Sequence, residues 1–286
     1  MGALLAALAL GAAAAAAAPA APTAVAHIYW TNSRDGTIGR ANLNGSGANQ
    51  SFIASTTGGA TGGGGLAVHG GYIYWTSANG GSATTLGRAK VDGSDIRPSF
   101  VTGGGNPCGV TVAGRYIYWA GDVGAAIGRS NLNGSGVNKS FIATGQGVCG
   151  VAVSGPFVYW ANYKAGTVGR AHLNGSGANA SFISGASNDA SVVVAGPYIY
   201  WANGAAGTNS IGRAKLDGSG ANQRFISNLN GVVSLAVFGK YIYWTIWNPN
   251  GARNQGSVVG RANLDGTGVN RRFLTGLKGP FGIAVG

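Results

Sequence analysis

Glutamate is absent from this chain of 286 residues: all seven of its acidic residues are Asp. The shortage bears first on chemistry, because carboxylate pairs and Glu-containing metal sites have little to be built from. Charge of either sign is scarce, at 9% of residues, and there are only two cysteines. Two cysteines exclude a disulfide-dense scaffold. The basic residues form no Lys/Arg block, so a net charge of +12 and a pI near 10.1 do not point to a specific nucleic-acid partner. A basic surface meeting a polyanion or an acidic cell envelope weakly is the plainer reading. Nothing has the period of a long helix. An apolar fraction of 45% with so little charge also argues against disorder, which needs low hydrophobicity and high net charge.

What is present in quantity is Gly, 54 residues of it, placed at fixed offsets beside Val, Ile, Tyr, Phe and Trp. That combination marks many short strands joined by tight turns. Residues 3–18 are the exception, being almost entirely Ala, Leu and Gly ahead of Pro19-Ala20-Ala21-Pro22 and the small-residue run Thr23-Ala24-Val25-Ala26. The run is short for a membrane helix, which needs about 20 residues. It reads as a secretory signal over residues 1–26, with the mature chain starting near His27; an uncleaved anchor is the alternative.

From residue 27 onward one unit recurs. Its clearest copy, Gly150 to Ile183, runs through an apolar strand (Val151-Ala152-Val153), a turn at Gly155-Pro156, an aromatic strand (Phe157 to Trp160), a loop, Val168-Gly169-Arg170, an Asn174-Gly175 turn and Ser181-Phe182-Ile183. The Tyr-Trp pair falls at Trp30, Trp75, Trp119, Trp160, Trp201 and Trp244, each preceded by Tyr. The aliphatic-Gly-Arg triplet ends at Arg40, Arg88, Arg129, Arg170, Arg213 and Arg261. Four strands per unit with a period in the low forties predict propeller blades. The predicted fold is therefore all-β: a six-bladed β-propeller of four-stranded antiparallel blades over residues 27–286. The first copy lacks an apolar first strand and the chain ends on a spare one. Residues 281–285 are therefore expected to complete the N-terminal blade and close the ring. Each Asn-Gly or Asp-Gly turn is expected to be type I′, with positive φ at both central positions. The Asn-Gly-Ser sequences at Asn44, Asn133 and Asn174 read as turn chemistry before they read as glycosylation sites.

Tyr-Trp-Thr/Ala, Ile-Gly-Arg-x-x-Leu-Asp/Asn-Gly and Gly-Leu/Val-Ala-Val, recurring in order, resemble the YWTD repeat (low-density lipoprotein receptor class B) that builds six-bladed propellers. The family's Asp after Tyr-Trp-Thr is replaced by Asn32, Ser77, Gly121, Asn162, Asn203 and Ile246, so its hydrogen bonds must be made otherwise or be absent. The resemblance implies a binding or scaffold module.

An Arg present in every blade suggests a packing role, stacking on the neighbouring Trp, ahead of a ring of ligand-binding guanidinium groups. Catalysis finds little support. Asp122 and Asp189 read as the only acids near the blade tops, and the Glu-containing metal site of gluconolactonase- and regucalcin-like propellers cannot be assembled. His27, His69 and His172 show no clustering of the kind a streptogramin-lyase-like site requires. No metal or cofactor is expected. Cys108 and Cys149 begin inner strands of adjacent blades, so a disulfide is expected, with two buried thiols as the alternative.

The loops between second and third strands vary among the copies, whereas the tight turns hardly do. Trp247, Asn248, Asn250 and Arg253 in the longest loop, with Tyr163, Lys164, Asp122 and Asp189, form the candidate binding surface. The resulting expectation is a secreted or cell-envelope, non-enzymatic, monomeric propeller that binds a protein, a glycan or another envelope component. The alternative is a metal-dependent lyase or hydrolase working at the channel mouth.

Overall fold

Consecutive side chains of a strand point to opposite faces, and the Tyr-Trp pair therefore splits between two neighbours. In the computed structural model, which describes residues 25–54, 64–77, 85–121, 124–145, 147–187, 191–204, 209–246 and 257–286, every Trp of the pair packs against the preceding blade and every Tyr against the following one. All six Trp residues are fully buried, and the six Tyr residues before them are no more than 3% exposed. The core consequently consists of six apolar clusters, one at each junction between blades.

The blades are six four-stranded antiparallel sheets. Blade 4 runs Val151–Ser154, Phe157–Asn162, Thr167–His172 and Asn179–Ser184, from the axis outward. Blade 1 takes its inner strand from the far end of the chain: Pro280–Val285 pairs with His27–Asn32 in antiparallel register, Ile28 opposite Val285 and Trp30 opposite Ile283. His27 and Gly286 exchange both backbone hydrogen bonds, at 3.0 and 3.1 Å. The ring closes as the repeat arithmetic predicts.

Trp160 lies opposite Gly169 on the next strand, and the same pairing recurs in all six blades. A Cβ on that Gly would stand only 2.1–2.5 Å from three atoms of the indole. The glycine of the aliphatic-Gly-Arg triplet is thus required by the Trp.

Two expectations need correction. Arg does not stack on Trp. Tyr159 lies opposite Arg170, so Arg shares the Tyr face, and its guanidinium sits 4.4 Å from the Phe157 ring centroid and 3.9 Å from that of Phe182. Blades 2, 3, 5 and 6 repeat this sandwich. Several of these Arg residues also reach a backbone carbonyl of the next blade, as Arg170 does to Leu216 at 3.4 Å. The packing role stands, with a different ring as partner. The second correction concerns the outer hairpins. Asn44 does not have positive φ; Gly45 does, at 88°. Gly45 N–H donates to Asn42 C=O at 2.8 Å and Asn42 N–H to Ser46 C=O at 3.0 Å, the pattern of a three-residue loop with a left-handed glycine bulge. The Asn44 carboxamide oxygen accepts from Ser46 N–H and Oγ. Asp92 does the same with Ser94, which explains why Asn and Asp interchange at this position.

Candidate functional site

The first-to-second and third-to-fourth connections of each blade are hairpins on one face of the ring, and the remaining connections open on the other. The latter face has varied loops, and it also carries unusual backbone. Asn106, Ala125, Asn209 and Asn228, at φ 57°, 44°, 28° and 61°, all belong to its connections. Left-handed conformations of non-glycine residues cost energy and concentrate at sites of function. Ala125 is held there by Thr144, whose N–H and Oγ1 both donate to the Ala125 carbonyl, the former at 2.9 Å.

Where the inner strands enter, adjacent blades touch backbone to backbone. A Cβ at Gly150 would stand 2.7 Å from the Ser191 backbone, and one at Gly65 would stand 2.7 Å from the Cys108 carbonyl. Different groups tie the junctions there. Thr31 Oγ1 donates to Gly64 C=O at 3.1 Å and accepts from Gly282 N–H at 2.8 Å. Thr76 bridges likewise between Gly65 N–H and Cys108 C=O, and Thr245 donates to Phe281 C=O. In blades 3, 4 and 5 the Thr position holds Ala120, Ala161 and Ala202. Between blades 3 and 4 the Cys108–Cys149 disulfide, with Cα atoms 4.8 Å apart, makes the tie instead; between blades 5 and 6 Ser191 Oγ accepts from Leu235 N–H at 3.0 Å. Reduction of this disulfide is expected to lower unfolding stability by about 4 kcal/mol, the loop-closure value for its 41-residue separation. Urea unfolding of the oxidised chain and of the Cys108→Ser/Cys149→Ser variant measures it, and intact mass before and after reduction and alkylation counts the thiols.

Behind this mouth lies a central channel of about 230 Å³ walled by the inner strands. Among the described residues its lining bears no charged side chain. The polar side-chain groups offered to it are the disulfide, Thr111, Ser191 and Ser234.

At the position following Tyr-Trp-Thr/Ala, three blades place a hydrogen-bonding Asn. The Asn162 amide donates to Thr167 Oγ1 at 3.0 Å and to Ala180 C=O at 2.7 Å, tying the second strand to the third and fourth. Asn32 and Asn203 repeat this. Asn32 also accepts from Trp30 Nε1 at 3.0 Å. In blade 3, which has Gly121 there, Trp119 Nε1 donates to Gly104 C=O at 3.0 Å instead.

Of the candidate binding residues, Tyr163 and Lys164 lie together on the loop face, the Lys164 ammonium 5.6 Å from the Tyr163 ring centroid. Trp247, Asn248, Asn250, Arg253, Asp122 and Asp189 lie outside the described residues. One acid escaped the sequence reading. Asp35, in the connection between the second and third strands of blade 1, is on the loop face and pairs with Lys278 at 2.9 Å. Burial pushes its carboxyl up, but hydrogen bonds from Lys278 and Thr37 outweigh that and hold it below its ordinary value. The claim that Asp122 and Asp189 are the only acids near the blade tops is therefore wrong. Asp35 was recoverable, because it follows Asn32 as Tyr163 and Lys164 follow Asn162.

The histidines lie elsewhere. His69 ends an inner strand, His27 begins a second strand and His172 ends a third, all at the hairpin face, with His172 exposed and 5.1 Å from the Phe157 ring. Gly121 and Ala126, the strand ends flanking Asp122, are at the opposite face. Among the described residues no group of three or more His, Cys, Asp or Glu is arranged to hold a metal ion, and no helix is long and apolar enough to cross a membrane.

The architecture has parallels among solved structures. A chain of a nidogen/laminin complex superimposes with a TM-score of 0.70 at 17% identity, covering 91% of this chain and 98% of that one. A structure described as TolB from Agrobacterium tumefaciens gives 0.60 at 15% identity over 90% and 91% of the two chains. Virginiamycin B lyase from Staphylococcus aureus gives 0.57 at 18% identity over 77% and 73%. No family profile matches the chain, and no curated protein does. At these identities the likeness is one of fold, and the same fold carries both binding proteins and an enzyme.

Proposed function

We propose that this is an exported, non-enzymatic propeller of the YWTD-repeat type that binds a protein or glycan partner of the cell envelope through its loop face, as a monomer and without a cofactor. The observation that carries the proposal is a division of labour between residues. The repeated Tyr, Trp, Gly, Arg and Phe are all engaged in packing within or between blades, so they have no capacity left for recognition. The variation in loop length among blades is collected on one face, where the connection from Ile246 to Val258 carries Trp247 and Arg253. A rigid scaffold presenting unlike loops is how recognition surfaces are commonly built. Export, with removal of residues 1–26, is supported by the N-terminal composition and accords with the inter-blade disulfide. Protein binding accords with the nidogen/laminin likeness, which by itself speaks only to fold.

The test is capture of partners from the native envelope by the wild type and by Trp247→Ala, Arg253→Ala, Tyr163→Ala and Lys164→Ala, with Lys215→Ala on the hairpin face as control. Loss of an anchor worth about 2 kcal/mol lowers affinity roughly thirtyfold, so recovery should fall in the loop variants and persist in the control. Equal recovery by all five variants would remove the site.

A further inference from the structure

A cleft of about 470 Å³ opens on the opposite, hairpin face between blades 1 and 2. It exists because this junction departs from the repeat in two places. The second strand opens with Tyr72, Tyr116, Phe157, Tyr198 or Tyr241 in blades 2 to 6, and with His27 in blade 1. The imidazole keeps the usual station, 6.1 Å from the Tyr29 ring against 6.2–6.4 Å for the corresponding pairs, but it lacks the outer part of a six-membered ring. Across the junction, the inner hairpin ends in Arg115, Pro156, Pro197 or Lys240 in blades 3 to 6, and in Gly71 in blade 2. A Cβ there would meet nothing within 4 Å. Val68 and Val91 form the floor that remains, with the nearly buried Tyr29 beneath, and Val25 and Gly286 line the cleft from the two ends of the described chain.

At the rim stands Asp92. One of its oxygens accepts from Ser94 N–H and Oγ at 2.8 and 2.6 Å, and the second makes no hydrogen bond among the described residues. The Ser94 hydrogen bonds hold this carboxyl below its ordinary value, so it is an anion at neutral pH. His69 borders the same cleft. An apolar slot beside a free carboxylate oxygen is selective in a definite way: a ring alone satisfies the floor, and a cation alone satisfies the rim.

We propose that this cleft is a second binding site, for a small aromatic amine whose ring lies in the slot beside the His27 imidazole and whose ammonium meets the free oxygen of Asp92. Aromatic rings pair edge-to-face or offset, and the half-buried His27 imidazole supplies the partner. The site is independent of the loop face and of whatever binds there.

The test is calorimetric titration of the full chain with tyramine, with phenol as the ring without charge and butylamine as the charge without ring. Tyramine should bind with a dissociation constant below about 1 mM, and at least roughly tenfold more tightly than either control. His27→Tyr restores the residue type of the other blades, and it should weaken tyramine at least tenfold at an unchanged thermal midpoint. Asp92→Asn, the residue already used at positions 44, 133 and 174, should reduce tyramine to the affinity of phenol. No saturable binding by the wild type, or unchanged tyramine affinity in either variant, overturns the proposal. Should His27→Tyr fail to fold, Asp92→Asn decides alone, since the fold accepts Asn in three equivalent turns.

Discussion

A chain terminated after Leu277 is expected to lose cooperative folding altogether. The nine residues removed, 278–286, include the whole inner strand of blade 1, and their loss reaches two junctions at once. Ile283 belongs to the cluster between blades 6 and 1, and Ala284 to the cluster between blades 1 and 2. The ties from Thr245 to Phe281 and from Gly282 to Thr31 go with them. Burial of a single Ile side chain is worth about 1.5–3 kcal/mol. Exposure of fully buried Trp30 and Ile28, an unpaired strand edge and the lost ladder bonds add to that, against a typical total stability of about 5–15 kcal/mol. Near-ultraviolet circular dichroism and a urea titration would report the outcome. A truncated chain with an unchanged, sharp transition would mean that the ring does not depend on its closing strand.

Alkaline pH should unfold the protein over a narrow interval. Burial raises the pKa of Tyr29, Tyr74, Tyr118, Tyr159, Tyr200 and Tyr243 above the ordinary phenol value near 10, only partly offset by the cation of the Arg in the same blade. A phenol is neutral when protonated, so the folded state holds these protons more tightly than the unfolded chain does. The associated stability is complete below pH 10 and is lost as pH rises through the raised folded values. Each phenol that ionises only on unfolding contributes a slope of about 1.4 kcal/mol per pH unit, and six together set an upper limit of about 8. Tyrosinate absorbance should therefore appear in two phases, the second coinciding with loss of the near-ultraviolet signal. A single phase complete before unfolding would show that the six phenols are accessible to hydroxide in the native ring.

The blade architecture was legible in the sequence because every structural demand is made six times, and a residue recurring at a fixed offset exposes its own reason. Closure by residues 281–285 and the Cys108–Cys149 bridge followed from counting strands. The partner of the repeated Arg was misread through parity. Arg170 faces Tyr159 across the ladder and Trp160 faces Gly169, so a shift of one residue turns the side chain to the other face. The turn type was misread because an Asn-Gly pair scores as type I′ wherever it occurs, whereas here Ser46 two residues on closes a longer loop. The candidate site was the least legible part. Loops that differ between blades offer no repetition to check them against, and Asp35 was overlooked although its place after Asn32 matches that of Tyr163 and Lys164 after Asn162.

The Trp–Gly pair across the second and third strands also bears on how such a chain can change over generations. The indole occupies the volume that any side chain at the glycine would need, so the glycine cannot change while the Trp stays, and a smaller residue at the Trp would leave a cavity beside the glycine. In a set of homologues the two columns should vary together or not at all. A duplicated blade could drift almost anywhere else, but at these two sites it would remain recognisable as a copy. The likeness among the six blades can therefore persist through a pairwise steric lock, without selection for any shared ligand.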